Sequence, residues 1–481
     1  MGWPSSGYTL TRFVFLRLLG LVYLAAFGSL WTQVLGLIGP NGISPAADFL
    51  DFAASVLGPQ RFWRLPTLTW IGGADSRMLL GLCGIGTAVS ALLILGVLQM
   101  PSLALLWVCY LSLVNIGQDF LSFQWDALLL ETGFLAIFFA PLGVLSRPSR
   151  ERPPPVVVLW LLRWLLFRLM FFSGVVKLAS GDPTWRGLTA LTFHYQTQPL
   201  PTPLGWYAHH LPRLLHVASA GGVFLIELVV PFLIFAPRRA RFVGAALMAA
   251  LQVLIMLTGN FAFFNLLTLA LCVVLLDDAA LPAILPARLR ARVPLSPEAP
   301  SPCFRRRLLV PLAVVILLSS GTRAPGPVRG LVSAVEPFHI VNRYGLFAVM
   351  TTERPEIIVE GSADGRIWLP YEFRYKPGDP RRAPAWIAPY HPRLDWQMWF
   401  AALGRPESNQ WFDGFLRRLL EGSPDVLGLL ETNPFPDAPP RFVRAQLYQY
   451  RFSDSTAPGE AGWWRRELEG VYVPPVSLAA R

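Results

Sequence analysis

Charged residues are scarce in this sequence. Only 15% of its 481 residues are Asp, Glu, Lys or Arg, and 53% are apolar, whereas soluble globular proteins carry about 25% charged residues. The apolar excess falls mostly before position 320, and the remainder is richer in Arg, Glu, Asp, Trp and Pro. The scarcity excludes an ordinary soluble fold for the first part and predicts a bilayer region followed by a water-facing region.

Cysteine and histidine are also rare. The four cysteines include no Cys-x-x-Cys pair, which gives no support to a thiol-redox or zinc site. Of the six histidines, only His209 and His210 are adjacent, and they lack the i,i+4 partner of a helical metal site. We therefore predict neither a metal site nor a cofactor. The region after residue 330 has no cysteine, so its core must hold it together without disulfides.

The net charge of +11 lies largely in short loops between apolar runs. Loops at residues 146–154, 237–241 and 277–307 carry three, three and six arginines. Lys and Arg in short loops mark the cytoplasmic side of a membrane protein. No nucleic-acid recognition motif accompanies the charge, so we predict membrane lipid as a partner and no nucleic acid.

Apolar runs long enough to cross a bilayer, about 20 residues each, predict a polytopic α-helical bundle of about nine spans. The first run has no small-residue cleavage site and is interpreted as a retained anchor. Nine crossings place the N-terminus inside and the C-terminal region outside, in the ER lumen or the periplasm; if the short ninth run does not cross, that region is cytoplasmic. The predicted spans are residues 13–38, 78–98, 101–118, 126–145, 155–179, 216–236, 242–258, 260–276 and 308–320.

Charged residues inside spans are costly and mark pairs or functional sites. Arg168 and Glu227 lie near the middle of the fifth and sixth spans, which predicts a structural ion pair between them. Other polar residues gather at the outer end of the bundle. They either satisfy one another or line a polar cavity open to the outer side. This predicted outer set is Asn115, Asp119, Asp126, Glu131, Lys177, Asp182, Trp185, His194, Tyr195, Gln196, Gln198, His209, His210, Asn260 and Asn265.

Lys177 with Glu131 is the most suggestive pair in this set, because a partly buried lysine can act as a base. We therefore consider a catalytic role for Lys177, with Glu131 or His194 as its partner. The sequence gives no firm catalytic assignment.

After residue 330 the pattern predicts a small β-rich α+β domain. Strands are expected at residues 337–343, 345–350, 355–361, 367–375, 442–452 and 469–473, and helices at 394–403, 410–420 and 425–430. An Asp-Gly turn at residues 362–366 predicts a hairpin. No nucleophile elbow is present, and the three tryptophans at 396, 399 and 411 are expected in the core. The abundant aromatic residues suit protein binding.

Several long strings resemble the lipase maturation factor family. They include residues 123–136 (FQWDALLLETGFLA), 181–186 (GDPTWR), 193–203 (FHYQTQPLPTP), 259–265 (GNFAFFN) and 340–347 (IVNRYGLF). The resemblance implies a polytopic protein that assists folding and assembly of secreted lipases, with its soluble domain in the ER lumen. The Ala-, Arg- and Pro-rich composition is typical of a bacterial member, for which the membrane would be the inner membrane.

A shorter string, residues 173–178 (SGVVKL) followed by Trp185, is similar to vitamin K-dependent γ-carboxylases. That likeness implies a base at Lys177.

Two functional hypotheses follow. The first is a membrane maturation factor with a bundle at residues 1–325 and a client-binding domain at 330–481. The second is a membrane enzyme that uses the outer cavity. The client-binding candidates of the first hypothesis are Tyr371, Tyr375, Lys376, His391, Arg393, Asp395 and Trp396. A transporter is disfavoured, since the spans lack an internal repeat.

Overall fold

The computed structural model describes residues 7–148, 151–281, 313–314, 316, 326–454 and 462–478. The predicted ninth span, residues 308–320, lies outside these ranges apart from three positions. All statements below concern the described residues.

Eight helices form the bundle. Six of them are long and apolar enough to cross a membrane, which confirms a multi-pass α-helical membrane protein. The predicted fourth and eighth spans are shorter than expected: α4 ends at Phe139 before Pro141, which cannot continue a helix, and the chain enters the eighth span through a turn at residues 260–263. At 1.5 Å per residue, the ten residues of the last helix rise only about 15 Å. The helices are α1 (Thr9–Trp31), α2 (Ser76–Leu95), α3 (Gln99–Ile116), α4 (Gln124–Phe139), α5 (Val156–Ala179), α6 (Arg213–Phe235), α7 (Arg238–Thr258) and α8 (Phe264–Val273).

Local signals set the ends of α2. Asp75 precedes the helix, and its carboxylate accepts the Met78 backbone N–H at 2.8 Å, which satisfies one of the free donors of the first turn. Gly96 follows the helix with φ of +81°, a left-handed conformation that glycine adopts without strain. The helix therefore begins and ends where its sequence requires.

Helix α6 is irregular in its second half. Pro231 has no N–H to donate, and its ring crowds the carbonyl of Glu227, four residues earlier. A regular α-helix cannot continue through this point, and Glu227 lies in a π-helical turn. The three parts are α-helical Arg213–Phe224, π-helical Leu225–Val229 and 3₁₀-helical Val230–Phe235.

Short helices cover the outer end of the bundle between the spans. They follow α1 and α5 in the chain, and proline or glycine interrupts them often. The α-helical segments are Val34–Ile38, Ala46–Leu57, Arg61–Arg64, Thr69–Gly72, Pro183–Arg186, Ala190–Thr197 and Pro203–His209, with 3₁₀ turns at Gly58–Gln60 and Gln118–Leu121.

The C-terminal region is an antiparallel sheet flanked by helices. The strand order β2–β1–β5–β6 places β2 and β6 at the edges, and β3 pairs separately with β4. The elements are helix α9 (Gly326–Val335), strands β1 (Pro355–Ser362), β2 (Leu369–Pro370) and β3 (Glu372–Phe373), helices α10 (Arg393–Ala402) and α11 (Gln410–Glu421), a short helix Pro424–Leu427, strands β4 (Leu430–Thr432), β5 (Phe442–Phe452) and β6 (Trp464–Val476), and 3₁₀ turns Glu336–Phe338 and Pro406–Ser408.

The prediction of a β-rich α+β region is confirmed, but two of the predicted strands are wrong. Residues 337–343 and 345–350 form turns and irregular chain. Their backbone groups bond to the bundle: the N–H groups of Asn342 and Gly345 donate to Glu131 and Gln124 at 2.8 and 3.1 Å. Tertiary partners therefore replace the strand ladder that the sequence pattern predicts.

The sheet region and the bundle share one apolar core. Phe120, in the turn after α3, packs edge-on against Trp411 of α11 with ring centroids 5.6 Å apart. Trp125, at the start of α4, meets Trp396 of α10 at 4.8 Å. Trp396 and Trp411 are buried, as is Trp399. The C-terminal region is therefore fixed to the outer end of the bundle.

Candidate functional site

A buried ion pair joins α4 to α10. The Arg393 guanidinium donates to both carboxylate oxygens of Asp126, at 3.0 and 2.8 Å, and both side chains are fully buried. Tyr110 donates its hydroxyl to the same carboxylate at 2.5 Å, and the Phe120 carbonyl accepts from Arg393 at 2.7 Å. The two-pronged geometry gives strong, directional hydrogen bonds. Asp126 thus holds the C-terminal region onto the bundle.

A second buried site lies deeper on α4. Glu131 accepts from Arg168 of α5 with one oxygen. Its other oxygen accepts from the Asn342 backbone N–H at 2.8 Å and from the Tyr344 hydroxyl at 2.7 Å. Arg168 in turn donates to the Asn342 carbonyl at 3.0 Å. One carboxylate therefore connects two membrane helices and the chain that follows α9.

This geometry corrects two predicted pairs. Arg168 pairs with Glu131 instead of Glu227, and Lys177 pairs with Glu227 instead of Glu131. Lys177 lies two residues before the end of α5, yet Glu227 lies fourteen residues after the start of α6. At 1.5 Å per residue, α6 must begin about 18 Å farther out than α5 ends. The predicted Arg168–Glu227 pair rested on both residues lying near the middle of their spans, which assumes that the outer ends of α5 and α6 lie at the same level in the membrane. Because the two helix ends are offset, that assumption is wrong.

The Lys177 ammonium has a full set of acceptors. Its Nζ lies 2.9 and 2.7 Å from the two Glu227 oxygens and 3.1 Å from the Ser173 carbonyl. An ammonium has three N–H donors, and a neutral amine has two. Three acceptors therefore fit the protonated, paired form, which does not favour a role for Lys177 as a free base.

Other members of the predicted outer set also hold the C-terminal region. Asp182 accepts the Met350 backbone N–H at 2.8 Å, and Trp185 donates to the Phe347 carbonyl at 2.9 Å. Asn260 donates to the Ala385 carbonyl at 2.8 Å and accepts the Ile387 N–H at 2.8 Å. These side chains satisfy backbone groups across the junction, which is the first of the two alternatives that the sequence left open.

Gln196 and Gln198 contact the C-terminal region mainly with their backbone carbonyls. Both accept from the buried Arg354, whose guanidinium also pairs with Glu356 at 2.8 Å. The Gln196 side chain accepts the Phe452 N–H at 2.9 Å. The two glutamines therefore fasten the loop before Pro203–His209 to the sheet.

The histidines of the outer set make separate contacts. His194 stacks near Phe261 with ring centroids 6.4 Å apart, and burial together with the nearby Lys177 charge lowers its pKa to about 4. Burial lowers the pKa of His209 to about 4 as well, and nearby His210 and His216 add to that shift. His194 is not beside Glu131.

The remaining members of the outer set contact neighbouring residues. Tyr195 lies against His216, His210 lies 3.0 Å from the Ser453 carbonyl, and Asn115 donates to the Pro66 carbonyl.

Most of the predicted client-binding residues lie inside the protein. Lys376 pairs with Glu356 at 3.0 Å, and Asp395 accepts the backbone N–H groups of Tyr375 and Lys376. The charged and aromatic character of these residues suggested a protein-binding surface on a water-facing domain, but their side chains are in the interior of that domain. The buried candidates are Tyr371, Lys376, His391, Arg393, Asp395 and Trp396, and Tyr375 is partly buried.

A cavity of about 770 Å³ remains between the bundle and the C-terminal region. Of the predicted outer set, Asp119, Lys177 and Asn265 line it. Sequence reasoning missed Glu227 and Gln252 as lining residues, although a glutamine inside the apolar run of α7 is a detectable signal. The remaining walls are mostly aromatic or aliphatic, and come from α4, α5, α7, α8, α10 and residues 345–351.

Comparison with known proteins matches both parts of this architecture. The model of the lipase maturation factor transmembrane domain covers residues 10–283, and that of the lipase maturation factor C-terminal domain covers residues 340–474. The chain belongs to the lipase maturation factor family. It is 40% identical to bovine lipase maturation factor 1, over 98% of this chain and 89% of the bovine protein. It is 39% identical to mouse lipase maturation factor 2, over 97% of this chain and 83% of the mouse protein.

The predicted membership is thus confirmed. No solved structure matches the chain. In this member of the lipase maturation factor family, the two buried carboxylate sites connect the two matched domains. Asp126 and Glu131 lie in the transmembrane match, and their partners Arg393, Asn342 and Tyr344 lie in the C-terminal match.

Proposed function

We propose that this chain is a membrane-embedded maturation factor that assists the folding and assembly of secreted lipases. The observation that carries the proposal is the extent of the similarity. Identity of about 40% to proteins named lipase maturation factors runs through nearly the whole chain and includes both matched domains. Similarity confined to the membrane region would support only a common membrane domain, without a common function.

The client site is proposed to lie on the outer side of the membrane, in the ER lumen or, in a bacterial cell, in the periplasm. Arginines cluster at the end of the bundle opposite the C-terminal region, where Arg12 bonds Glu151 and Arg238 bonds Asp277. The positive-inside rule makes that end cytoplasmic.

Within the C-terminal region, the free edge of β6 is the proposed contact for the client. Among the described strands, β6 pairs with β5 alone, over the range Trp464–Val476. Leu468 and Val471 are exposed on it. From Trp464 to Val473, before Pro474 and Pro475 interrupt the N–H donors, the unpaired edge offers backbone donors and acceptors to an extended segment of an incompletely folded protein.

The experiment is a secretion assay in cells that lack their own lipase maturation factors. A secreted lipase is expressed with and without the full chain, and its catalytic activity in the medium is measured per mole of lipase protein. The proposal expects the chain to raise this specific activity severalfold at unchanged lipase synthesis. A chain that is stably inserted in the membrane but leaves the specific activity at background would refute the proposal.

Matched variants test the β6 edge in the same assay. Leu468→Glu with Val471→Lys places charges on the long free edge, and Ile367→Glu with Leu369→Lys places the same charges at the exposed opposite side of the sheet, by the short strand β2. The β6 variant replaces two exposed apolar side chains of a strand that otherwise carries charged residues, and further charge at a strand edge opposes pairing with another strand. The β6 variant is expected to lose most of the specific activity and the β2 variant to keep it. Equal activity of the two would remove β6 as the client contact.

A further inference from the structure

The cavity at the junction has the dimensions of a ligand site. Its volume of about 770 Å³ falls within the range of roughly 300–1,000 Å³ typical of small-molecule pockets. Aromatic side chains form much of its wall, among them Trp125, Phe261 and Trp396. The large polar networks of the junction, around Asp126 and Glu131, lie outside it. The cavity is therefore a separate feature from the two buried carboxylate sites at Asp126 and Glu131.

Exposed apolar side chains surround the opening of the cavity. Val349, Phe400 and Leu403 line it and are exposed. Ile255 of α7 also lines it, and the next exposed residues on that helix, such as Leu254, are apolar. An apolar molecule that approaches along α7 would therefore meet apolar side chains up to the cavity.

The two buried charges on the cavity lining neutralise each other. Lys177 and Glu227 both line it and pair with each other at 2.7 Å, which leaves no net charge to attract an ionic head group. Asp119, also on the lining, is an exposed acid that would repel an anion. Because Asp119 is exposed and the Lys177 and Glu227 charges are paired, an ionised group in the buried part of the cavity would lose its hydration without a free counter-charge, which is costly. The site therefore suits an uncharged ligand.

Two buried polar atoms on the lining residues lack partners within the described part of the chain. The Asn265 side chain donates to Gln252 at 2.7 Å, but its Oδ1 accepts from no group. The Trp396 Nε1–H has no acceptor. One acceptor and one donor thus remain, and a hydroxyl group can serve both because it donates one hydrogen bond and accepts others.

We propose that this cavity binds an uncharged acyl lipid with a hydroxyl head, of the monoacylglycerol or diacylglycerol class. The acyl chain lies against the aromatic walls, and the head group hydrogen-bonds to Asn265 and Trp396. The site does not depend on lipase clients, so it can be tested apart from the proposed maturation function.

The test is photo-crosslinking of the full chain in phosphatidylcholine nanodiscs. The probe is a monoacylglycerol with a diazirine in its acyl chain. Labelling is expected to saturate, to map to lining segments such as residues 345–351, and to be displaced by unlabelled monoacylglycerol or diacylglycerol, whichever is the natural source of the head group. Equal or stronger displacement by a fatty acid anion would overturn the proposal. So would unsaturable labelling spread over exposed positions such as Leu254.

Matched variants locate the site. Leu169→Trp fills the cavity, whereas Leu178→Trp makes the same change at an exposed position of the same helix. Only the first is expected to abolish saturable labelling. Because Leu169→Trp can disturb packing, Trp396→Phe provides a gentler change that removes one N–H donor, with the exposed Trp160→Phe as its control. Loss of one hydrogen bond predicts roughly two- to tenfold weaker binding, and unchanged binding by Trp396→Phe and by Leu169→Trp would refute the site.

Discussion

At the scale of single residues, buried charges are the features that the sequence marks most clearly and pairs least well. Asp126, Glu131, Arg168 and Lys177 stand out in apolar runs, so their importance is predictable. Their partners are not, because Arg393 reaches Asp126 across 267 positions and no local periodicity encodes such a contact. Two partners of Glu131 also lie far along the chain: Asn342 is in a predicted strand, and Tyr344 lies between two predicted strands.

The Asp126–Arg393 pair gives a stability prediction. Arg393→Met leaves the Asp126 carboxylate buried without its counter-charge, and breaking a buried pair costs about 3–5 kcal/mol. We expect a large fall in the thermal unfolding temperature of the detergent-solubilised protein. Arg381→Met is the control, because Arg381 and Asp379 form an exposed pair in the same region, and such pairs contribute about 0–1 kcal/mol. Equal unfolding temperatures for the two variants would contradict the role of the buried pair.

His391 gives a pH prediction. Burial, and then the charge of Arg393, holds the pKa of His391 well below its usual range. Below pH 6.5, the ordinary pKa of histidine, the unfolded chain takes up a proton that the folded chain excludes. The stabilisation is therefore complete above pH 6.5 and is lost as the pH falls.

We expect the unfolding temperature to drop between pH 8 and pH 5, and to drop less in His391→Gln, which does not titrate. His194 and His209 have the same sign of shift, so a residual pH dependence should remain in the variant. Identical pH profiles for the variant and the wild type would count against the assignment.

At the scale of elements, agreement between sequence and structure follows the source of each element's stability. Strand β5 and helix α11 occur where their periodicity places them, since each buries an apolar face of its own, and α10 also occurs at its predicted place although it is buried on nearly all sides. Residues 337–350 fail as strands because side chains of α4 and of the outer loops take up their backbone groups. Span lengths were overestimated for α4 and α8 because apolar residues continue beyond both helices, into an exposed segment at residues 142–145 after α4 and into a buried turn at Val274 and Leu275 after α8.

Close packing of α1 against α2 gives a prediction at this scale. A Cβ atom at Gly86 would overlap the ring of Phe27 on α1, whereas a Cβ at Gly81, on the same helix, meets nothing within 4 Å. Overpacking a tight core contact costs about 1–3 kcal/mol. Gly86→Val should therefore lower the yield of monodisperse protein in size-exclusion chromatography, and Gly81→Val should not. A reversed or equal outcome would mean that the helix contact is looser than described.

At the scale of the whole molecule, the bundle and the C-terminal region form one folded unit. Membership of the lipase maturation factor family could be predicted from short sequence motifs, the multi-pass bundle from hydropathy, and the β-rich C-terminal region from its pattern of strand-like residues. The attachment of the two regions could not, because it depends on contacts between residues far apart in the chain. Removing the whole C-terminal region would strip partners from Asp126 and Glu131, so point variants separate function from folding better than a deletion.

The most direct test of the proposed function uses cells that lack their own lipase maturation factors and express the wild-type chain, Arg393→Met or Arg381→Met. The measurement is the specific activity of a secreted lipase. We predict that the wild type and Arg381→Met restore lipase activity per mole of lipase, and that Arg393→Met does not, because its C-terminal region is no longer held at the outer end of the bundle. Failure of the stably inserted wild type would contradict the proposed function. Full restoration by Arg393→Met would contradict the proposed dependence on a locked junction.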